Sequence, residues 1–348
     1  MNIGVGLDFT LGLSYEDQVA LGREAAEQGY DEIWTPEGSG PDSFQLCQMR
    51  WQASKDVLPE GLRTGISVSP VAYRTPMGFA MSAGTLGAQT NGRFVLGIGS
   101  GQVYRAAFRK AMGIRSGSTL AIMRDYLTTV RGLLAGEMMN YEGPALTVQG
   151  QKLGIDPPPQ TPVYLGALGP KMLALGGEAA DGICLNWCTP DQIALARETV
   201  DAGAKIAGRE AGSVPLHEYI RICVDDDVDV ARAGLARATI GYAMGPAGVG
   251  RDARFGYRPH FDRMGFADEL AELDKMRDGG ATQEELNAAA SDDLLLSVGY
   301  YGTPDGAYDH FRKLAEGLDV AVVRVVAAKP GLDAVRAVMQ ACAPAAQS

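Results

Sequence analysis

The chain has 348 residues, and its 31 basic and 42 acidic residues give a formal net charge of −11. That balance argues against nucleic acid as a partner, because phosphate neutralisation requires clustered lysine and arginine. It argues equally against adhesion to an anionic membrane. A chain of this length can hold two domains, but α/β barrels reach it as one, and we predict a single domain over residues 1–348.

Five cysteines at scattered positions indicate free thiols in a reducing compartment. They are Cys47, Cys184, Cys188, Cys223 and Cys342. We predict no metal site, because no set of histidine and cysteine ligands has zinc-like spacing. The first residues, MNIGVGLDF, lack a basic leader and predict a strand rather than a signal peptide. No apolar run reaches the ~20 residues that span a bilayer, so we expect a cytoplasmic protein.

Short apolar segments alternate with helical patterns along the chain. The segments that predict strands are 2–9, 31–35, 63–69, 93–98, 162–165, 182–185, 216–224 and 320–326. The segments that predict helices are 15–28, 43–54, 76–89, 104–112, 118–134, 170–179, 192–207 and 332–339. Such alternation is typical of parallel strands joined by right-handed crossovers. Because closure removes both sheet edges, we predict an α/β fold, a closed (β/α)8 TIM barrel, with a doubly wound open sheet as the competing architecture.

Two segments interrupt the eightfold alternation. Residues 136–161, before the fifth strand, contain Tyr141, Gly143 and Pro144 and then a proline-rich run, which predicts an excursion with a small hairpin. Residues 241–296, between the seventh and eighth strands, are rich in glycine and charge and then helical from about 268 to 290. An insertion of this length at the carboxyl-terminal rim of a barrel is either a lid over the active site or a solvated cap of the barrel end.

The residues just after the strands form the active site of such a barrel. They are Asp8, 35–40, 67–70, 99–102, 166–170 and 186–187. These residues include no histidine and offer no nucleophile with its base, and an enzyme so poor in acids and bases leaves the chemistry to a cofactor. The glycine-rich turns at 99–101 and 166–169 each precede a helix, whose first N–H groups can bind an anion. Together they favour a phosphorylated cofactor.

Three stretches give the sequence a family resemblance. They are GYDEIWTPE at 29–37, GRFVLGIGSG at 92–101, and PVYLGALGP at 162–170 followed by GEAADG at 177–182. With them the chain resembles the bacterial-luciferase-like superfamily of flavin- and deazaflavin-dependent barrel enzymes. It is most similar to the branch that uses coenzyme F420, and methylenetetrahydromethanopterin reductases share its 166–170 pattern closely.

The resemblance implies an oxidoreductase that transfers a hydride between C5 of the F420 deazaflavin and a small organic substrate. It also implies a non-prolyl cis peptide at Ser67–Val68, behind the ring. Glu37 is similar to the family's acidic residue near the ring, and Glu37 and Asp8 are the candidate catalytic acids, with the holding of backbone N–H groups as their alternative role. The implied cofactor contacts are Glu37, Ser67, Val68, Ser100, Gly101, Gln102, Arg105, Gly166, Ala167, Leu168 and Gly169.

The sequence also departs from the resemblance. Sugar-phosphate dehydrogenases of the F420 branch carry a histidine where this chain has Gly38 and a glutamate where it has Gln102, so that activity is not expected. An FMN-dependent luciferase-like monooxygenase and a non-catalytic deazaflavin-binding protein remain the alternatives.

Substrate contacts and a dimer interface are predicted from the remaining segments. Tyr242, Tyr257, Arg258 and His260 of the insertion are candidates to touch substrate, with ordinary packing as the alternative. Members of the superfamily commonly dimerise through the helices at 43–51 and 77–86, which here carry Met49, Met77, Phe79 and Met81. The resemblance therefore implies a homodimer.

Overall fold

Eight parallel strands close into a barrel in the computed structural model, which describes residues 1–114, 117–159, 161–245 and 256–347. The described strands are β1 (Asn2–Gly6), β2 (Glu32–Thr35), β3 (Arg63–Pro70), β4 (Phe94–Gly99), β5 (Met139–Glu142), β6 (Thr147–Gln151), β7 (Val163–Gly166), β8 (Gly182–Asn186), β9 (Leu216–Val224), β10 (Gly299–Gly302) and β11 (Val320–Val325). The ring runs β1-β2-β3-β4-β7-β8-β9-β11 and returns to β1, with every pair parallel. The predicted (β/α)8 TIM barrel is confirmed, and the open sheet is excluded.

Helices surround the ring. The described ones are α1 (Tyr15–Glu27), α2 (Ser43–Ser54), α3 (Pro76–Gln89), α4 (Ala106–Ala111), α5 (Thr119–Leu134), α6 (Pro170–Ala179), α7 (Pro190–Ile206), α8 (Val228–Ala243), α9 (Arg258–Phe261), α10 (Ala267–Asp278), α11 (Gln283–Ala289), α12 (Asp292–Val298), α13 (Ala307–Leu314) and α14 (Leu332–Ala341). Side-chain caps explain several starts: the Thr75 and Thr189 hydroxyls each accept a backbone N–H, and proline follows at the first helical position. None of the described helices has the length and apolar character to cross a membrane.

Several elements differ from the sequence predictions. Helices α8 and α13 were not predicted, and the helix expected from about 268 to 290 is divided into α10 and α11. The first strand ends at Gly6 rather than at residue 9, because the Asp8 carboxylate accepts the Thr10 N–H at 2.6 Å and starts a 3-10 turn. The short strand β10 was not predicted. It pairs in parallel with the second half of β9, outside the ring of eight, and its sequence GYYG contains too few apolar residues to indicate a strand.

The hairpin predicted within residues 136–161 is present as β5 and β6, which pair antiparallel. One buried carboxylate of α5 organises it. Asp125 accepts hydrogen bonds from the Tyr141 hydroxyl and the Ala145 N–H, each at 2.7 Å, and from the Leu146 N–H at 3.1 Å. The hairpin is therefore attached to the outer helical layer.

The insertion forms a second apolar core beside the barrel, and residues 246–255 of it lie outside the described part. Its helices α9 to α12 pack with α8 around buried Phe261, Leu270 and Leu294. Trp187 and Cys223 of the barrel belong to the same cluster. The insertion is thereby fixed to the carboxyl-terminal ends of β8 and β9.

Alternate residues of the strands fill the barrel interior. Trp34, Tyr164 and Tyr219 lie inside, and glycine stands opposite each large ring. A Cβ at Gly182 would lie 2.5 Å from Tyr164, and one at Gly6 would lie 2.8 Å from Tyr219. The interior is thus filled by side chains, as in other barrels, and the residues that follow the strands line the mouth at their carboxyl-terminal ends.

Candidate active site

On one side of the mouth, the Val68 side chain forms an apolar surface, here called the Val68 floor. The Ser67–Val68 peptide bond is cis, and the register of β3 against β4 shifts between Ile66 and Ser69. The Val68 side chain lies against glycines of two neighbouring strands. A Cβ at Gly166 would lie 3.2 Å from Val68 Cγ1, and one at Gly99 would clash with Val68 Cγ2. These glycines therefore make the niche that seats Val68.

Glu37 is held on both sides of its carboxylate. Arg74 donates to its two oxygens at 2.5 and 2.8 Å, and the Ser69 hydroxyl donates to it as well. The Glu37 N–H donates to the Val68 carbonyl at 3.3 Å. Burial lowers the pKa of Arg74, but its hydrogen bonds to Glu37 and the attraction of Glu37 and Asp42 outweigh this and raise it overall. Glu37 thus links the end of β2 to the β3 bulge.

Both carboxylate oxygens of Asp8 also have partners. One carboxylate oxygen accepts the Thr10 N–H, and the other forms an ion pair with Arg324 of β11. Asp8 therefore joins the end of β1 to its neighbour β11. The structure brings Glu37 and Asp8 to the same rim, each paired with an arginine that the sequence analysis did not single out.

The turn after β4 carries four predicted cofactor residues. Gly101 has a φ of 51°, and a Cβ there would lie 2.8 Å from Pro70 Cβ, so this position requires glycine. Ser100 is half-buried, whereas Gln102 and Arg105 are exposed and bonded to each other at 2.9 Å. The turn lies against the β3 bulge, and its two long side chains face solvent.

The turn after β7 opens toward the mouth. The Ala167 N–H donates to the Cys184 carbonyl, and Gly169 is the N-cap of α6. A Cβ at Gly169 would meet no described atom within 4 Å, so the space on the side-chain side of this residue is open. Exposed Arg263 places Nη2 3.3 Å from the Leu168 carbonyl oxygen. Sequence reasoning missed Arg263, because nothing in the pattern shows that the insertion returns to this point.

The opposite wall is cationic. Arg221 of β9 is 3% exposed, and its guanidinium lies 3.7 Å from the Trp187 ring centroid. It donates to the Asn186 side chain and, at 2.9 Å, to the Tyr219 carbonyl. Sequence reasoning missed Arg221 and Arg324, although period-2 alternation in LHEYIRICV places Arg221 on the same face as Tyr219.

The four predicted substrate contacts divide into two pairs. Tyr242 and Tyr257 border the mouth: their rings are 4.8 Å apart, and the Tyr257 hydroxyl accepts from Asn186 at 2.5 Å. Arg258 is instead bonded to Asp274 at 2.6 Å and to Asp262 at 2.9 Å.

His260 is buried, with Nε2 2.8 Å from the Trp187 carbonyl oxygen, and burial lowers its pKa to about 4. Like Arg258, it therefore belongs to the packing of the insertion. All five cysteines are buried and free. Across the described ranges, no group of three or more histidine, cysteine, aspartate or glutamate residues could hold a metal ion.

Comparisons with known proteins agree with this geometry. The chain is 29% identical over 307 residues to the 5,10-methylenetetrahydromethanopterin reductase of Methanolobus tindarius, covering 88% of each chain. It is 28% identical over 222 residues to the F420-dependent glucose-6-phosphate dehydrogenase of Kineococcus radiotolerans, covering 59% of this chain and 63% of that protein.

The structure of the coenzyme F420-dependent tetrahydromethanopterin reductase from Methanopyrus kandleri has the same fold. It superposes with a TM-score of 0.77 at 19% identity, covering 99% of this chain and 97% of that one. The family model described as luciferase-like monooxygenase matches residues 3–320. The chain therefore belongs to the luciferase-like monooxygenase family.

Proposed function

We propose that this chain is a coenzyme F420-dependent oxidoreductase that transfers a hydride between the deazaflavin C5 and a small organic substrate at the barrel mouth. The names of relatives support the cofactor, since a reductase aligns over 88% of both chains and an F420-dependent dehydrogenase over a shorter stretch. The observation that carries the proposal is the Val68 floor, seated among glycines beside the open start of α6.

The residues present fit such a cofactor. A planar ring requires an apolar surface, and Val68 offers it where Gly99 and Gly166, which have no side chains, leave room for it. A phosphate group requires N–H donors and positive charge; because Pro170 has no N–H, the donors at the start of α6 would be those of Gly169 and Lys171, with Arg263 beside them. The proposed contacts remain those predicted from the sequence, from Glu37 and Ser67–Val68 through Ser100, Gly101, Gln102 and Arg105 to Gly166–Gly169, with Arg263 added. When bound, the deazaflavin supplies a hydride donor or acceptor at C5.

The protein's own contribution is orientation and the exclusion of water. Glu37, through Arg74 and Ser69, holds the bulge that presents Val68. Tyr242 and Tyr257 cover the mouth from the insertion side, which supports the lid interpretation of that segment. The catalytic role predicted for Glu37 and Asp8 stays a prediction. The Asp8 carboxylate accepts the Thr10 N–H, which supports its alternative role of holding a backbone N–H, whereas Glu37 is paired with the side chains of Arg74 and Ser69 and is proposed to position the bulge.

A homodimer in the cytoplasm is the proposed state of the enzyme. Phe79 of α3 is fully buried against the barrel, but Met81 on the same helix is 57% exposed. Met49 of α2 and Met77 of α3 are half-buried. Exposed methionine beside half-buried methionine is typical of a surface that a partner covers, and five reduced thiols suit the cytoplasm.

Titration of the purified chain with F420 and with FMN tests the cofactor assignment. The quenching of tryptophan fluorescence reports binding, because Trp187 adjoins the mouth. We expect saturable quenching by F420 at least tenfold tighter than by FMN. Tight FMN binding without F420 binding would contradict the proposal and favour the flavin-dependent monooxygenase, the alternative supported by the family description. Binding of F420 with no reduction of it by any alcohol or reduced folate-like donor would favour the non-catalytic alternative.

A further inference from the structure

Two buried arginines stand side by side at the mouth. Arg221 of β9 and Arg324 of β11 are Cα partners in the register of adjacent strands. They are 3% and 5% exposed. In the ring of eight, β9 is four strands from β3 and β11 is four strands from β4. The arginines therefore face the Val68 floor across the full width of the mouth.

The charges at this wall do not balance. Arg324 pairs with Asp8, but its Nη1 is buried without a hydrogen-bond partner. Arg221 forms no ion pair with any described carboxylate. In its described hydrogen bonds only Nη1 donates, and both acceptors are neutral oxygens. Within the described ranges, these two cations therefore have one paired carboxylate, Asp8. An unpaired buried charge is costly unless a counter-ion binds beside it.

Among the described residues, Glu218 is the carboxyl group that acts electrostatically on Arg221, and it does not supply the missing charge. Glu218 precedes Tyr219 on β9 and points away from the barrel interior, where one oxygen accepts the Cys188 N–H at 2.6 Å. Burial raises the pKa of Glu218 to about 8, so it is mostly protonated at neutral pH. Tyr242, Tyr257 and Asn186, which face Arg221 from the insertion and β8, bring two phenols and an amide rather than a carboxylate.

Aromatic rings fix the plane of the charged group. The Arg221 guanidinium lies 3.7 Å from the Trp187 centroid and 5.5 Å from that of Tyr242, and Arg324 lies 4.7 Å from the ring of Tyr219. The Tyr219 hydroxyl is also buried without a partner. A guanidinium held by its face keeps its edge available for the two parallel hydrogen bonds that a carboxylate or phosphate accepts.

We propose that Arg221 and Arg324 form an anion subsite that binds a carboxylate or phosphate group of the substrate. This inference rests on the proposed function for the position of the ring, and it adds the class of substrate: a small organic molecule that carries an anionic group. That group would be held on the β9–β11 wall, so that the rest of the substrate extends toward Val68.

Anion binding to the cofactor-free protein tests the subsite with a readout other than activity. Inorganic phosphate and acetate are titrated by calorimetry and by thermal shift into the wild type, Arg221→Gln and Arg23→Gln. Arg23 is an exposed arginine of α1 that makes a surface ion pair and serves as the matched control. We expect saturable binding to the wild type and the control, and at least tenfold weaker binding to Arg221→Gln. No saturable binding of either anion to the wild type, or equal binding to Arg221→Gln, would overturn the proposal.

Two further arms make the result unambiguous. If Arg221→Gln does not fold, as judged by circular dichroism, Arg221→Lys keeps the charge but loses the planar fork, and at least threefold weaker phosphate binding is expected. Repeating the phosphate titration with saturating F420 separates the two sources of anion: undiminished binding supports a substrate group, and competition assigns the subsite to the cofactor's own phosphate. Failure of F420 to bind, with phosphate binding intact, would refute the proposed function but not the subsite.

Discussion

Arg74 donates to both carboxylate oxygens of Glu37, at 2.5 and 2.8 Å, and this pair joins the end of β2 to the segment after β3. The Glu37 backbone N–H reaches the Val68 carbonyl in the same region. The acidic residue that the sequence offers as a catalyst is therefore part of the support beneath the Val68 floor.

Glu37→Gln separates the positioning role from catalysis. Losing the charge weakens the hydrogen bonds from Arg74 and leaves that guanidinium poorly paired, so the free energy of unfolding should fall by about 2 kcal/mol. Urea unfolding measures this, and F420 affinity should fall with it. If Glu37 only positions, kcat at saturating cofactor falls less than tenfold; a loss of a hundredfold or more would identify it as the proton-transfer group. Glu24→Gln, which breaks the Glu24–Arg336 pair on the outer layer, is the control.

Gly99→Val tests the niche that seats Val68. The added side chain would overlap Val68 Cγ2 and force it into the space assigned to the ring. We expect F420 affinity to fall at least tenfold while circular dichroism reports an intact barrel. In Gly241→Ala of α8, where a Cβ meets no described atom, affinity should be unchanged. If Gly99→Val binds the cofactor with unchanged affinity, Val68 does not contact the deazaflavin ring.

Arg263→Gln tests the phosphate end of the site. An exposed guanidinium beside the start of α6 attracts an anion that salt screens. The variant should bind F420 about threefold to tenfold more weakly at low ionic strength, and the difference from wild type should shrink as salt is added. Lys275→Gln, an exposed cation of α10, should behave as wild type. A variant whose affinity and salt dependence match wild type would show that Arg263 does not face the cofactor.

The buried carboxyl group of Glu218 should make the stability of the fold depend on pH. Its carboxyl ordinarily ionises near pH 4.5, but burial raises its pKa to about 8 in the folded chain. The folded state then holds a proton that the unfolded state releases, so this residue lowers stability progressively as pH rises from about 4.5 to 8, and no further above that. Thermal unfolding of wild type and Glu218→Gln between pH 5 and 9 measures it. The variant should lose less stability over this interval; parallel curves would contradict the assignment. Glu284→Gln, an exposed carboxylate of α11, is the control.

The barrel was predictable because each strand is a short apolar run between helical patterns. Few folds besides a closed barrel accommodate eight such alternations. Strand β10 was not, since four residues with two glycines carry no apolar pattern. Within the site, the glycine turns were found from their position after strands and Val68 from the resemblance, and they lie together at the mouth. Arg263 could not be predicted from the sequence, because its position depends on how an insertion with its own core packs against β8.

Arg221 and Arg324 illustrate a different limit. Their strands alternate regularly, so their inward orientation could have been read from the sequence. A charged residue facing a barrel interior nonetheless contradicts the expectation that buried positions are apolar. Only the register of β9 against β11 shows that the two charges are neighbours, and only the Asp8–Arg324 ion pair shows that one of them is already paired.

The crystal structure of the chain with bound F420 tests the central claim most directly. We predict the deazaflavin ring against Val68, its phosphate at the start of α6 near Arg263, and an open gap between the ring and Arg221. A ring seated on the arginine wall, or outside the barrel mouth, would contradict it.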